Sequence, residues 1–206
     1  MTPLLALLLL AAAPAGQPSA DAARLAAKVQ GFYERTKDLR ARFSQTYTYA
    51  GFGRRQASSG TLEVKKPGKM RWDYEKPARK TIAVSGSRLV QYEPEENQAY
   101  VDDHFDASAM SAAVAFLLGK GDLAREFDLG IDATGALLLH PKEPDPRVDV
   151  IALTVADDGQ VTATRVVDGS GNVNEVKFSD VKRNVGLPDS AFDVKLPKDV
   201  RRVGAK

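Results

Sequence analysis

Short segments in which apolar and polar residues alternate recur along this chain, and a period of two is typical of strands with one buried face. One such segment is 43–49, and another places Met70, Trp72 and Tyr74 on one side of a strand. The sequence has no alternation of strands with long helices, which a parallel sheet requires. The pattern therefore predicts an antiparallel meander.

Further segments of the same kind, separated by turn signals such as Lys66-Pro67-Gly68, bring the prediction to about eleven strands. They are residues 61–65, 81–84, 88–92, 98–101, 136–140, 148–155, 161–167, 173–178 and 191–196.

Other segments carry apolar residues every three or four positions, which is the period of an amphipathic helix. Residues 22–39 hold one such stripe. Residues 106–119 hold another, with Asp106 as its N-cap and Gly119 as its stop signal. A short helical turn at 122–127 is a third candidate. The predicted fold class is therefore mainly β, an α+β chain with two or three helices.

The concave face of a curved sheet of about ten strands is too large for two or three short helices to fill, so a cavity for an apolar ligand would remain. The alternative is that the same side chains pack against the helices as a dry core. The pattern by itself favours this alternative, because apolar strand faces are usually core. The candidate lining residues are Leu62, Val64, Met70, Trp72, Ile82 and Val84 from the strands, with Leu117 and Leu118 from the 106–119 helix.

The first residues form a region of their own. Residues 4–13 are a continuous run of Leu and Ala, too short for a membrane-spanning helix of about 20 residues. Such a run before small residues is typical of a cleaved secretory signal. We expect residues 1–20 to be a signal peptide, cut after Ala13, Ala15 or Ala20, and residues 21–206 to form one soluble domain outside the cytoplasm.

Composition and motifs argue against most catalytic chemistry. The chain has no cysteine, which excludes disulfides, thiolate metal sites and cysteine nucleophiles. A formal charge of +2 gives no reason to expect nucleic-acid binding. His104 and His140 lack the spacing of metal ligands, and the match of Ser179 and Lys182 to a serine–lysine motif is of a kind that arises often by chance. We predict no cofactor, no metal and no enzymatic activity.

Several segments, taken together, resemble the LolA family of periplasmic outer-membrane lipoprotein carriers. The most informative is 60–77, with the sequence GTLEVKKPGKMRWDYEKP. The matching segments keep the family's order over most of residues 22–200. The others are Phe43-Ser44-Gln45, Ser85-Gly86 with LVQYEP at 89–94, FLLG at 116–119, and Gly186-Leu187-Pro188 with 192–197.

The resemblance implies an incomplete β-barrel of about eleven antiparallel strands, with helices that form a lid over an apolar cavity. It also implies a monomeric carrier that accepts triacylated lipoproteins from an inner-membrane ABC transporter and delivers them to an outer-membrane acceptor. The related acceptor family carries a lipidated cysteine. Because this chain has no cysteine, it resembles the soluble carrier.

One position departs from the family pattern. In the family, an Arg just before the Pro of a strand-connecting turn helps to hold the empty lid closed, and here that position is Lys66. An ammonium is a point charge and not a planar fork, so a latch that grips several lid carbonyls would be weaker. The resemblance assigns Lys66 as the lid latch, and the substitution puts its strength in doubt.

Two other functions stay open on the sequence alone. A lipoprotein-binding envelope-stress sensor could use the same kind of fold, although such sensors usually append a second domain. A lipid hydrolase would need an activated serine, and the chain has no G-x-S-x-G motif.

Overall fold

A computed structural model of the chain describes residues 19–106 and 121–204. Most of the predicted signal peptide lies outside these ranges, so its cleavage and the single-domain assignment stay predictions. Nearly all of the predicted 106–119 helix, including Leu117 and Leu118, also lies outside the described residues.

Within the described ranges the chain forms two α-helices, twelve strands and two single turns of 3-10 helix. The helices are α1 (Ala20–Glu34) and α2 (Leu123–Glu126), and the 3-10 turns are Pro94–Glu96 and Asp189–Phe192. The strands are β1 (Asp38–Thr48), β2 (Arg55–Lys65), β3 (Lys69–Lys76), β4 (Lys80–Ser85), β5 (Arg88–Glu93), β6 (Gln98–Asp102), β7 (Phe127–Ile131), β8 (Leu137–Pro141), β9 (Val150–Val155), β10 (Val161–Val167), β11 (Val173–Arg183) and β12 (Arg201–Val203).

All twelve strands belong to one sheet, in the order β12-β6-β5-β4-β3-β2-β1-β11-β10-β9-β8-β7. Neighbouring strands pair antiparallel, except that β12 runs parallel to β6. Strands β12 and β7 are the two edges, so the sheet is open and does not close into a barrel. The predicted mainly β fold with an incomplete barrel is confirmed, with one strand more than predicted.

The pairing register defines two faces of this sheet. It places Ala41, Leu62, Trp72 and Ile82 side by side on β1 to β4. Ala41 also belongs to the apolar cluster that packs beneath α1, so these residues lie on the face that α1 covers. We call this the inner face and the opposite one the outer face.

Helix α1 packs on the inner face near β7 and β8. The side chain of Ser19 caps its first turn by accepting a hydrogen bond from the Ala22 amide at 3.2 Å. Within the described residues, no helix has both the length and the hydropathy that a membrane crossing requires. The side of α1 that faces the sheet buries Ala22, Ala26, Val29, Phe32 and Tyr33.

The end of α1 corrects the predicted helix, which ran on into what is β1. The Thr36 hydroxyl donates to the Phe32 carbonyl at 2.8 Å and so occupies an acceptor of the last turn. Asp38 is already the first residue of β1 and is buried. Its carboxylate accepts hydrogen bonds from the amides of Val185 and Gly186 at 2.7 and 3.1 Å, which favours the extended backbone over a further helical turn.

The chain after β11 crosses the outer face of β3 and β4. The 3-10 turn within it contacts both strands, and its Phe192 is 2% exposed. Arg71, on the outer face of β3, donates to the Ala191 carbonyl at 2.9 Å. The predicted strand at 191–196 is therefore wrong, because its apolar residues pack across β3 and β4 instead of pairing along a neighbouring strand.

Candidate functional site

A cavity of about 310 Å³ lies on the inner face, between α1 and the central strands of the sheet. Its walls come from α1, α2, β1 to β3 and β8 to β11. Most of the lining is apolar, namely Leu39, Ala41, Leu62, Val64, Trp72, Leu123, Leu139, Val148, Ile151, Leu153, Val161, Val166, Val176, Phe178 and Val181.

The cavity lies between two apolar clusters of the inner face. One packs beneath α1 and includes Leu139 and Ile151. The other lies on β1 to β3 and β11 and includes Leu62 and Val176. These four residues also line the cavity, so the space between the two clusters is left unfilled. The inner face is therefore not a dry core throughout.

Three of the residues predicted to line a cavity do so, namely Leu62, Val64 and Trp72. The Trp72 ring lies edge-on against Phe43, with 4.7 Å between the ring centroids. It also lies 6.4 Å from the ring of Phe178, which is another lining residue. The Trp72 side chain thus links the cavity lining on β3 to the cavity lining on β11.

The other predicted residues lie elsewhere. Met70 is 5% exposed inside the second cluster and does not reach the lining. Ile82 and Val84 share the inner face of β4 but also lie outside the lining. Leu117 and Leu118 lie outside the described residues.

The wall formed by β8 to β11 was not predicted as part of a site. The strands themselves were predicted, but the continuous apolar runs Leu137–Leu139 and Ile151–Leu153 do not show which face of each strand is buried. What sequence could not reveal is that β11 pairs with β1, with Phe43 opposite Phe178. That long-range pairing brings the second wall against the first.

Polar side chains gather at the end of the cavity nearest the β1–β2 turn. The Gln45 side-chain amide donates to the Asn174 side-chain carbonyl at 2.8 Å, so these polar groups satisfy each other. Burial raises the pKa of the Tyr74 phenol, and a hydrogen bond with Gln45 partly opposes that shift. This end of the cavity is therefore uncharged but able to form hydrogen bonds.

A second pocket, of about 410 Å³, adjoins the cavity at this polar end. Gln45 and Tyr74 line both, so the two spaces share a boundary. We call the second pocket the vestibule. Its lining is polar and of mixed charge, namely Gln45, Tyr47, Gln56, Ser58, Tyr74, Lys76, Pro77, Ala78, Arg79, Lys80, Glu93, Glu95 and Glu96.

Lys66, the predicted latch, lies at the opposite end of the cavity, beneath the last turn of α1. Its ammonium donates a hydrogen bond to the backbone carbonyl of Tyr33. A cation is favourable at the C-terminal end of a helix, where carbonyls lack partners within the helix. Burial lowers the pKa of Lys66, and the negative charge of Glu34 opposes that shift.

The cavity has the properties of a binding site for an apolar ligand. Burial raises the pKa of the Tyr33 phenol to about 12, against a hydrogen bond with the Val161 backbone, so this lining group is neutral at physiological pH. Within the described residues, no group of three or more His, Asp or Glu is placed to hold a metal ion. The arrangement can remove an apolar ligand from water.

Comparison with known families gives a match over residues 34–195 to the model described as outer membrane lipoprotein carrier protein LolA. The chain belongs to the LolA family. The match takes in every residue of the cavity lining except Tyr33. The resemblance inferred from the sequence motifs is thus confirmed.

Two relatives in the LolA family extend over most of this chain. Both are named outer-membrane lipoprotein carrier protein. The one from Chromobacterium violaceum is 31% identical over 205 residues, covering 97% of each chain. The one from Methylobacillus flagellatus is 30% identical over 180 residues, covering 85% of this chain and 87% of its own.

A solved structure shares the fold of this LolA-family chain. It is an uncharacterized conserved protein from Thermus thermophilus, with a TM-score of 0.55 at 12% sequence identity. The match covers 89% of this chain and 99% of that protein.

Proposed function

We propose that this chain is a periplasmic chaperone that shields the acyl chains of lipoproteins from water on their way from the inner to the outer membrane. The observation that carries the proposal is the apolar cavity, whose lining includes Leu62, Trp72 and Phe178. The name of the relatives, outer-membrane lipoprotein carrier protein, supports the same cargo.

Such a carrier would offset the large free-energy cost of exposing acyl chains to water. Each CH₂ group exposed to water costs about 0.8 kcal/mol, so a lipoprotein with three acyl chains faces tens of kcal/mol in crossing an aqueous compartment. An apolar lining offsets most of that cost. The proposal therefore needs burial alone and assigns the chain no enzymatic activity and no cofactor.

The size of the cavity supports a closed, empty state. At about 310 Å³ it is at the lower limit of pockets that hold drug-sized ligands, and three acyl chains are much larger than such ligands. Loading must therefore enlarge it. If only an opened fraction of the chaperone binds, its apparent affinity for lipid falls, which favours onward transfer. The hydrogen bond from Lys66 to the end of α1 supports a role for this residue in holding the closed state.

The partners proposed here follow from this cargo. A membrane transporter of the ABC class would release triacylated lipoproteins to the chaperone at the inner membrane. An acceptor at the outer membrane would take them up by binding the acyl chains more tightly than the cavity does. The chaperone would act as a monomer, with one cargo in this cavity.

The test is the release of a labelled lipoprotein from spheroplasts into solution by the purified chain. Phe178→Glu places a carboxylate in the lining, so we expect it to abolish release. The matched control is Ser179→Glu, which adds the same charge at the next residue of β11, on the exposed side. We expect Ser179→Glu to release lipoprotein like the unmodified chain. Circular dichroism and thermal unfolding check that both variants fold.

Equal release by folded Phe178→Glu and by Ser179→Glu would rule out the cavity as the binding site. Lipoprotein that is bound but not passed on to outer-membrane vesicles would instead favour an envelope-stress sensor. Free fatty acid among the products would favour a hydrolase.

A further inference from the structure

The turn between β1 and β2 exposes an aromatic ring without any apparent packing role. Phe52 is 92% exposed, and among the large apolar side chains of the described residues the next most exposed, Val185, is at 46%. Gly51 and Gly53 flank it, and a Cβ at either glycine would meet no atom within 4 Å. The ring therefore projects into solvent from this turn, which we call the tip.

This tip is held in a defined conformation. The Tyr49 amide donates to the Arg54 carbonyl at 2.9 Å and closes the turn. The Ala50 amide donates to the side chain of Asn172 in the neighbouring β10–β11 turn at 3.1 Å. Tyr49 also lies edge-on against Tyr47, with ring centroids 4.7 Å apart. Phe52 is thus presented on a braced support.

Two exposed arginines, Arg54 and Arg55, follow the ring directly. Neither forms an ion pair with a residue that the structure describes, whereas Arg42 on β1 pairs with Glu75 at 2.7 Å. Guanidinium groups without a carboxylate partner are well suited to bind phosphate, which they can contact through two parallel hydrogen bonds. The tip therefore combines an apolar ring with two available cations.

The tip also lies at the vestibule end of the molecule. Along β1, Ala41 lines the cavity, Gln45 lines both cavity and vestibule, and Tyr47 lines the vestibule. The turn with Phe52 comes next. At the usual rise per residue of a strand, Tyr49, where the turn begins, lies about 13 Å beyond Gln45. A surface that receives this tip would therefore face the vestibule and, behind it, the apolar cavity.

We propose that the β1–β2 tip docks on an anionic lipid bilayer, with Phe52 inserted at the interface and Arg54 and Arg55 on lipid phosphates. Aromatic rings and basic side chains together are typical of interfacial membrane anchors. A single ring and two arginines are too small for a stable protein–protein interface, which buries at least about 1,200 Å². The docking is weak and reversible, as a carrier that leaves each membrane requires. Its purpose rests on the proposed function, but its test does not.

The test is sedimentation of the purified chain, without lipoprotein, with vesicles of phosphatidylglycerol and phosphatidylethanolamine. We expect binding that weakens at raised ionic strength and is much lower on phosphatidylcholine alone. Phe52→Ser should weaken binding about tenfold, since it removes one inserted ring. Arg54→Gln with Arg55→Gln should remove the dependence on anionic lipid. The control is Val185→Ser, which removes an exposed apolar side chain near Asp38, the other end of β1.

Absence of vesicle binding by the unmodified chain would overturn the proposal, and so would an equal loss in Val185→Ser and Phe52→Ser. If Phe52→Ser lost lipoprotein release from spheroplasts but kept vesicle binding, the tip would contact a protein and the proposal would be wrong. Failure of the proposed function would give a different result. The unmodified chain would then bind vesicles but would not bind lipoprotein in detergent solution.

Discussion

The contact between Lys66 and the end of α1 joins the two sides of the cavity through a single side chain. The ammonium donates a hydrogen bond to the Tyr33 carbonyl, which also accepts a hydrogen bond from the Thr36 amide at 3.0 Å. Lysine offers one charged group to this carbonyl, where arginine would offer a planar fork. If Lys66 acts as the proposed latch, this single contact would hold the helix less firmly than an arginine fork would.

We expect Lys66→Ala to lower the free energy of unfolding by about 1 to 2 kcal/mol, because a hydrogen bond from a charged donor is lost. The variant should also take up a fluorescent fatty-acid probe more readily, since α1 is held less firmly. Lys28→Ala, which removes an exposed lysine from α1, is the control. Chemical unfolding and probe titration measure the two effects. Equal probe uptake by both variants would rule out a latch at Lys66.

Gly60 lies where another strand approaches closely, and the sequence alone does not show which strand this is. A Cβ at this position would lie 1.9 Å from the Asp73 carbonyl oxygen and 2.9 Å from Cε1 of Phe43. The register between β2 and β3 is irregular at this point, next to Ser59. A glycine within a strand pattern indicates a close approach or a bulge, but it does not tell which backbone comes near.

At the scale of elements, charge holds the C-terminal segment to the outer face. The ammonium groups of Lys65 and Lys69 each lie 2.6 Å from a carboxylate oxygen of Asp189. Lys65 also donates to the Leu187 carbonyl at 2.7 Å. The two cations lower the pKa of Asp189 from 3.8 to about 2.

This pKa predicts how the segment responds to acid. Because the folded pKa lies below the ordinary value of 3.8, the stabilisation by Asp189 is present above about pH 4 and is lost as the pH falls toward 2. Asp189→Asn should therefore be less stable at neutral pH and lose stability less steeply in that acid range. Asp193→Asn, in the same segment, is the control. Thermal unfolding across the pH range measures the difference, and identical acid profiles for the two variants would contradict the ion pairs.

The elements that sequence predicted best are those whose signal is local. The short helix α2 was expected, and Asp122 caps it by accepting the Arg125 amide at 2.9 Å. Strand β12 was missed because Arg201–Val203 is short and exposed and is defined by backbone pairing with β6. Strand β7 was missed as well, although Phe127, Leu129 and Ile131 alternate with Asp128 and Gly130, and the helical turn predicted at 122–127 took in its first residue. Both missed strands are sheet edges.

At the scale of the whole molecule, the cavity depends on an open sheet whose two halves meet at the β1–β11 pair. One half lies under α1, and the other carries Phe43, Leu62 and Trp72. Sequence motifs indicated the second half through the 60–77 segment. The first half contributes to the lining only because of pairing between residues more than one hundred positions apart, as with Phe43 and Phe178. No local sequence pattern predicts that β1 and β11 pair across such a separation.

Trp72 is the one tryptophan of the chain and lines the cavity, so its fluorescence can report whether acyl chains enter the cavity. A triacylated lipopeptide with bromine on its acyl chains quenches tryptophan fluorescence on contact, and the unbrominated lipopeptide does not. We expect the brominated form alone to quench the fluorescence of Trp72, and we expect Phe178→Glu to abolish this quenching. If both forms of the lipopeptide bind by calorimetry but leave the Trp72 emission unchanged, the acyl chains lie outside the cavity and the cavity is not the binding site.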